Sequence, residues 1–95
     1  MNLILSPPAA SDLQRLHDFL AGHSTRSADR ASGILSDRLK LLAKFPALGK
    51  PLGRTGMREL HVPFGKSAYV IRYYLSARRN AVVVLRIWHA REQRR

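Results

Sequence analysis

The sequence predicts an α+β domain: a short strand and a helical hairpin, then a three-stranded antiparallel meander, arranged as a two-layer sandwich. The hydrophobic period changes from helical spacing in the first half to strict alternation in the second. Prolines and glycines cluster between the halves, which separates the helices from the meander. The helical pair and the sheet each have one apolar face, so packing them together buries both. With 95 residues, 45% of them hydrophobic, we expect a single domain over residues 1–95.

The chain should begin with a strand over Asn2–Leu5 that joins the sheet. Ser6 can cap a first helix. Pro7 and Pro8 then occupy its first positions, where a backbone N–H has no partner within the helix. This helix should end near Gly22. Its apolar positions recur at helical spacing: Leu13, Leu16 and Leu20. Its polar positions are expected to face outward: Asp12, Arg15 and Asp18.

A second helix should begin at Ser24 or Ser27 and end before Pro46, which cannot continue it. Its apolar stripe consists of five residues: Ala31, Ile34, Leu35, Leu42 and Phe45. The two helices are close in sequence, so they should form a hairpin.

The segment from Pro46 to Met57 carries too many prolines and glycines for a helix and is expected to be a loop. Three strands should follow it, over Arg58–Val62, Ser67–Leu75 and Ala81–Trp88. A tight turn at Ala77–Asn80 should join the last two.

Period-two alternation divides the side chains of the last two strands between the faces of the sheet. One set is expected to lie under the helices: Tyr69, Ile71, Tyr73, Leu75, Val83, Leu85 and Ile87. The opposite face should carry cations and aromatic rings: Arg72, Tyr74, Arg86 and Trp88. That mixture suits phosphate contact and base stacking. Alternatively, the arginines solvate an exposed face while the aromatic rings close the edge of the core.

The positive charge lies almost entirely in the second half of the chain. Residues 1–43 contain five Lys or Arg and four Asp or Glu, whereas residues 44–95 contain twelve Lys or Arg against Glu59 and Glu92. Such a charge attracts polyanions, meaning nucleic acid, a ribosome or an acidic protein. The alternative interpretation is solubility alone.

Several classes of function are not supported by the composition. The chain has no cysteine, which excludes disulfides and thiolate catalysis, and its four histidines lack metal-ligand spacing, so we expect neither metal nor cofactor. No apolar run is long enough to cross a bilayer, and the apolar start is too short for a signal peptide. We therefore expect a cytoplasmic protein without membrane contact.

Four short motifs resemble those of the RelE/ParE toxins, in the same order and spacing across nearly the whole chain: Phe45–Gly49, Arg58–Leu60, Tyr69–Tyr73 and Leu85–Arg91. The resemblance implies a toxin neutralised by an antitoxin, a ParD-like protein with an acidic C-terminal segment that wraps around it. An amphipathic hairpin and a sheet edge suit such docking. Five helix residues are the expected antitoxin contacts: Leu13, Leu16, Leu20, Ile34 and Leu35.

The family includes two mechanisms, cleavage of mRNA on the ribosome in the RelE branch and poisoning of DNA gyrase in the ParE branch. The ribonucleases usually carry a phosphate-binding Arg at the position of Val70, which cannot donate a hydrogen bond. Arg72, on the same face, is the possible substitute. Some ribonucleases also have a His followed by Tyr where this chain has His89 and Ala90. Many ParE-like sequences instead end as His89-Ala90-Arg91 does, so this His does not decide between the branches.

The sequence resembles the ParE branch more closely, which implies that the chain binds and inhibits DNA gyrase. The expected target contacts are Arg58, Arg72, Arg86, Trp88, His89 and Arg91. In the alternative, ribosome-dependent cleavage of mRNA, the candidate catalytic residues are Arg72, Arg86, His89 and Arg91. A third possibility is a basic nucleic-acid-binding domain without toxicity. Glu59 is expected to be an ion-pair partner, although an acid/base pair with His61 is conceivable. The basic tail Arg91–Arg95 could either reach the target or be solvated.

Overall fold

The structure, a computed structural model that describes residues 1–92, has two helices on one face of a five-stranded sheet. The elements are β1 (Asn2–Leu5), α1 (Pro7–Ala21), α2 (Thr25–Lys44), a 3₁₀ turn (Pro46–Leu48), β2 (Lys50–Pro51), β3 (Met57–Phe64), β4 (Ser67–Ser76) and β5 (Ala81–His89). The strand order is β1-β5-β4-β3-β2; β1 is parallel to β5 and the other pairs are antiparallel. The predicted α+β class is confirmed, and the predicted loop contains one short additional strand, β2.

Both helices begin at the serines that the sequence indicates. The Ser6 hydroxyl accepts a hydrogen bond from the Ala9 amide at 3.2 Å, and the Ser24 hydroxyl accepts one from the Ser27 amide at 3.2 Å. Each bond satisfies an amide of the first helical turn that has no partner within the helix. The second helix therefore starts from the first of its two predicted caps.

The core lies between the helices and the sheet. Its central residues come from α2, β4 and β5: Leu35, Leu39, Leu42, Tyr69, Ile71, Tyr73, Val82, Val84 and Ile87. Residues from α1 and β3, with Ala31 of α2, complete it: Ala9, Leu16, Ala31 and Val62. Every contributing element thus presents one apolar face inward, as the two-layer arrangement requires.

A β-bulge in β5 corrects the predicted assignment of residues to the two faces of the sheet. The pairing of β4 with β5 shifts by one residue, so that Leu85 lies opposite no residue of β4. Val82 and Val84 consequently face the helices, and the prediction that Val83 and Leu85 do so was wrong. Strict alternation fails here because an extra residue reverses the parity of the strand. Leu75 does lie on the helical face but is 40% exposed at the end of the sheet.

The segment after α2 is held against the sheet by side chains. The buried Tyr73 phenol donates to the Pro46 carbonyl at 2.7 Å and accepts from the Gly49 amide at 2.7 Å. The Arg58 guanidinium donates to the carbonyls of Ala47 and Gly49, at 3.3 and 2.7 Å. These bonds fix the approach of the chain to β2.

Candidate functional site

The sheet face that points away from the helices, here called the open face, carries a row of charged residues across four strands. Strand pairing places Lys50 beside Glu59, Glu59 beside Arg72, and Arg72 beside Arg86. Residues paired in this way lie on the same face of a sheet, with neighbouring Cβ atoms about 4.5–5.5 Å apart. Alternation within each strand thus assembles the row from positions distant in sequence.

Arg72 is held between a carboxylate and an aromatic ring. Its Nε and Nη2 atoms donate to one carboxylate oxygen of Glu59, at 2.8 and 2.6 Å. Its guanidinium carbon lies 4.9 Å from the centre of the Trp88 ring, within the range of a cation–π contact. Trp88 is only 7% exposed, so it serves more as a platform for Arg72 than as an open stacking surface. The expectation that Glu59 is an ion-pair partner is confirmed.

Arg86 turns from the row towards α1 and binds Asp12. Its Nε and Nη2 atoms donate to the two carboxylate oxygens at 2.8 and 3.1 Å, and the Ile87 amide donates to one of them at 2.8 Å. Asp12 is 3% exposed, so the prediction that it faces outward was wrong. Burial raises the pKa of this carboxyl group, but the hydrogen bonds from Arg86, the Ile87 amide and Arg15 outweigh that effect and leave it below its ordinary value.

Side chains of α1 and of its cap, Ser6, complete the edge of β5 where β1 ends. The Ser6 hydroxyl donates to the Leu85 carbonyl at 2.9 Å, and Arg15 donates to the Ile87 carbonyl at 3.5 Å. Together with the bond from the Ile87 amide to Asp12, these contacts give backbone groups at the strand edge partners from side chains. Asp12 and Arg15 stand three residues apart on one face of α1, and Ser6 is the cap of the same helix, so no single pattern in the sequence marks the three as a group.

At the end of β5, the side chain of His89 points to the side of the sheet opposite the open face. The His89 ring packs edge-on against Tyr69, with 5.3 Å between the ring centres, and therefore faces the helical layer. The His89 amide donates to the Glu92 carboxylate at 2.8 Å, and the Arg91 amide donates to the Nδ1 atom of the His89 ring at 3.1 Å. Glu92 also accepts from Arg15, so it links the end of the sheet to α1. A cavity of about 570 Å³ opens beside these residues.

The expected target contacts are consequently not gathered into one site. Arg72 and Trp88 lie together on the open face, and Arg86 reaches the sheet edge. His89 and Arg91 line the cavity on the helical side. The remaining predicted contact, Arg58, binds the carbonyls that precede β2. Within the basic tail, Arg94 and Arg95 lie outside the described residues.

The helix leucines expected to contact an antitoxin belong largely to the core. Leu16 and Leu35 are 7% and 2% exposed, while Leu13, Leu20 and Ile34 are partly buried against the same core. A cleft of about 310 Å³ between α1 and α2 is lined by several of these leucines and by residues of β1.

Val70 stands in register with His61 on one side and Trp88 on the other. It is 3% exposed, so this position gives the open face an apolar contact without a hydrogen-bond donor.

Within residues 1–92, no group of three or more His, Asp or Glu side chains could hold a metal ion. In the same part of the chain, no helix is long and apolar enough to span a membrane.

Comparison with known proteins gives consistent matches along the chain. The family model described as "ParE toxin of type II toxin-antitoxin system, parDE" matches residues 3–94. The chain is also similar to a curated protein, Toxin RelE1 of Caulobacter vibrioides. The two are 41% identical over 92 residues, which cover 97% of this chain and 96% of the relative.

Solved structures share the fold. The chromosomal ParDE toxin–antitoxin system from P. aeruginosa contains a chain that superposes with a TM-score of 0.77 at 21% identity, covering 94% of this chain and 95% of that one. The intact E. coli RelBE toxin–antitoxin complex gives a TM-score of 0.68 at 17% identity, covering 96% and 98%. At these identities the likeness concerns the fold alone, and it extends to structures from both systems.

Proposed function

Since this chain belongs to the RelE/ParE family of type II toxin–antitoxin toxins, we propose that it arrests growth by binding and inhibiting DNA gyrase. In this proposal it acts without catalysis, in the cytoplasm where gyrase works. Its cognate antitoxin, a ParD-like protein with an acidic C-terminal segment, keeps it inactive. The net charge of +11 favours such an acidic partner.

The observation that carries this proposal is that two of the three arginines proposed for RNA cleavage, Arg72 and Arg86, are paired with carboxylates. A ribonuclease of this kind needs donors aimed at the charge that develops on the phosphate. Arg72 directs its Nε and Nη2 donors at Glu59, and Arg86 directs the same two at Asp12. Val70 supplies no donor of its own. The open face therefore suits binding to a protein surface better than phosphate chemistry.

The second candidate is ribosome-dependent cleavage of mRNA, and the relative named Toxin RelE1 is the observation in its favour. The candidate catalytic residues remain Arg72, Arg86, His89 and Arg91. His89 faces the helical layer, whereas Arg72 lies on the open face. A single substrate would have to reach both sides of the sheet, which weighs against this candidate.

The test is to induce the chain in bacteria without antitoxin and to follow DNA and protein synthesis separately by pulse labelling within minutes. We expect DNA synthesis to stop first, with filamentation, and Arg72→Ala to delay the arrest more than Arg38→Ala, which removes an exposed arginine from α2. If translation stops first and transcripts are cut in the ribosomal A site, the ribonuclease candidate replaces the gyrase proposal. Continued growth would instead favour a non-toxic nucleic-acid-binding domain, recognised by steeply salt-dependent DNA binding.

A further inference from the structure

Large apolar side chains are exposed at one end of the molecule. Six large hydrophobic residues of the described chain are at least 36% exposed, and four of them form what we call the apolar cap: Met1 (45%), Phe45 (59%), Leu48 (45%) and Leu75 (40%). Scattered single apolar residues on a surface are ordinary, but a group of them marks an interaction site.

Hydrogen bonds and strand pairing bring the cap residues to the same end. The terminal amine of Met1 donates to the Ala43 carbonyl at 3.2 Å, two residues before Phe45. Phe45 and Leu48 flank the 3₁₀ turn, whose backbone bond joins the Leu48 amide to the Phe45 carbonyl at 3.1 Å. Leu75 lies on the helical face two residues beyond Tyr73, whose phenol reaches Pro46 in that same turn.

Cations surround the cap. Lys44 precedes Phe45, and Arg78 and Arg79 occupy the turn after β4; all three are exposed. The sequence has no acidic residue between Asp37 and Glu59, nor between Glu59 and Glu92, and Glu59 is engaged by Arg72 on the open face. An apolar centre with a rim of one charge sign selects a partner with an apolar face and acidic flanks.

We propose that the apolar cap is the docking surface for an acidic, amphipathic segment of the antitoxin, an inference that rests on the proposed function only in requiring an antitoxin. Permanent complexes bury more apolar surface than transient ones do. A toxin held inactive in the cell is bound to its antitoxin for most of its life, whereas it meets its target briefly. The exposed apolar surface therefore fits the antitoxin better than gyrase, and the open face on the other side of the sheet remains for the target.

The opposite end of the molecule provides a matched contrast. Phe19 is 67% exposed, but its ring packs against His23 with 5.1 Å between centres, and Asp18 precedes it. Asp29 and Glu92 also lie at that end, beside the α1–α2 turn and the end of β5. Charges of both signs lie around Phe19, since Arg15 and Arg91 line the same cavity, so this end lacks the uniformly positive rim of the cap and Phe19 serves as the control for Phe45.

The experiment measures the affinity of the purified toxin for its cognate antitoxin by titration calorimetry, together with growth with and without that antitoxin. We expect Phe45→Ser to weaken binding by about 30-fold or more, as for a central interface aromatic, and Phe19→Ser to leave it unchanged. Cells that produce Phe45→Ser should still arrest, and the antitoxin should no longer rescue them. Melting temperatures show whether each variant is folded.

A second variant, Arg78→Glu with Arg79→Glu, changes exposed turn side chains and tests the rim if Phe45→Ser does not fold. Its binding should be at least tenfold weaker at low salt, and the deficit should shrink as salt increases. Wild-type affinity in both variants overturns the proposal, as does lost toxicity with antitoxin binding retained, which would make the cap a target surface. Self-association of the wild-type chain that Phe45→Ser abolishes would also overturn it. Antitoxin affinity is measured directly, so the effect of these substitutions can be interpreted even if gyrase is not the target.

Discussion

Replacement of the buried Asp12 by alanine should destabilise the protein more than removal of an exposed carboxylate does. Asp12 is 3% exposed and accepts hydrogen bonds from Arg86, Arg15 and the Ile87 amide. Breaking a fully buried ion pair costs about 3–5 kcal/mol. Here the side chains of Arg86 and Arg15 are 41% and 43% exposed, so water can solvate them once the carboxylate is gone.

The Ile87 amide cannot be solvated in this way, because it lies at a buried strand edge. Leaving a buried donor without an acceptor costs about 1–3 kcal/mol, and with the lost ion pair we expect the free energy of unfolding to fall by about 2–4 kcal/mol. For a domain of this size that lowers the melting temperature by about 10–25 °C. The assay is thermal unfolding by circular dichroism. Asp18→Ala is the control, because Asp18 lies on the same helix with its side chain 65% exposed.

The same carboxylate should make stability depend on pH. The folded-state pKa of Asp12 lies below the ordinary value of 3.8, so its contribution is complete above that value and is lost as the pH falls through the folded-state pKa. The wild type should therefore lose stability below about pH 4 more steeply than Asp12→Asn does. Equal melting temperatures for Asp12→Ala and Asp18→Ala at neutral pH would refute the reasoning, and so would parallel pH profiles for the wild type and Asp12→Asn.

Three further substitutions test other contacts. Tyr73→Phe removes the acceptor of the buried Gly49 amide and should cost about 1–3 kcal/mol in urea unfolding; no loss would mean that water replaces the phenol. Gly49→Ala places a Cβ atom 2.7 Å from that phenol oxygen and 2.8 Å from the Glu59 carbonyl, so the melting temperature should fall at least as far, and an unchanged value would contradict this packing. Glu59→Gln weakens the clamp on Arg72 and should change stability by less than about 1 kcal/mol. It should alter toxicity in growth assays if the open face binds the target, and unchanged toxicity would argue against that role.

The elements of this fold could be predicted because their signals are local. Ser6 and Ser24 stand next to the helices that they cap, and Pro46 follows Phe45, the residue at the C-terminal cap of α2. The strands of the meander follow from alternation within each run. The two-residue strand β2 could not be predicted, because it depends on pairing with β3 and has no pattern of its own.

The candidate site was harder to predict because its contacts join distant parts of the chain. Asp12 binds Arg86, 74 residues later, and one polar position on a helix gives no sign of such a partner. The bulge at Leu85 reverses parity in β5, which no alternation rule anticipates. The predicted meander did place Glu59 and Arg72 on neighbouring strands. The structure adds that their side chains bind each other and that Trp88 supports the pair.

The side chains of α1 that cover the edge of β5 also bear on how the protein avoids misassembly. An open strand edge is a template on which another chain can add a strand, and this leads to aggregation. Ser6, Asp12 and Arg15 occupy the backbone groups on which such growth would begin. At the far side of the sheet, β2 has two residues, and Pro51 has no amide to offer. Loss of Asp12 should therefore expose an unpaired strand edge. Asp12 variants should form fibrils more readily than core variants of equal stability.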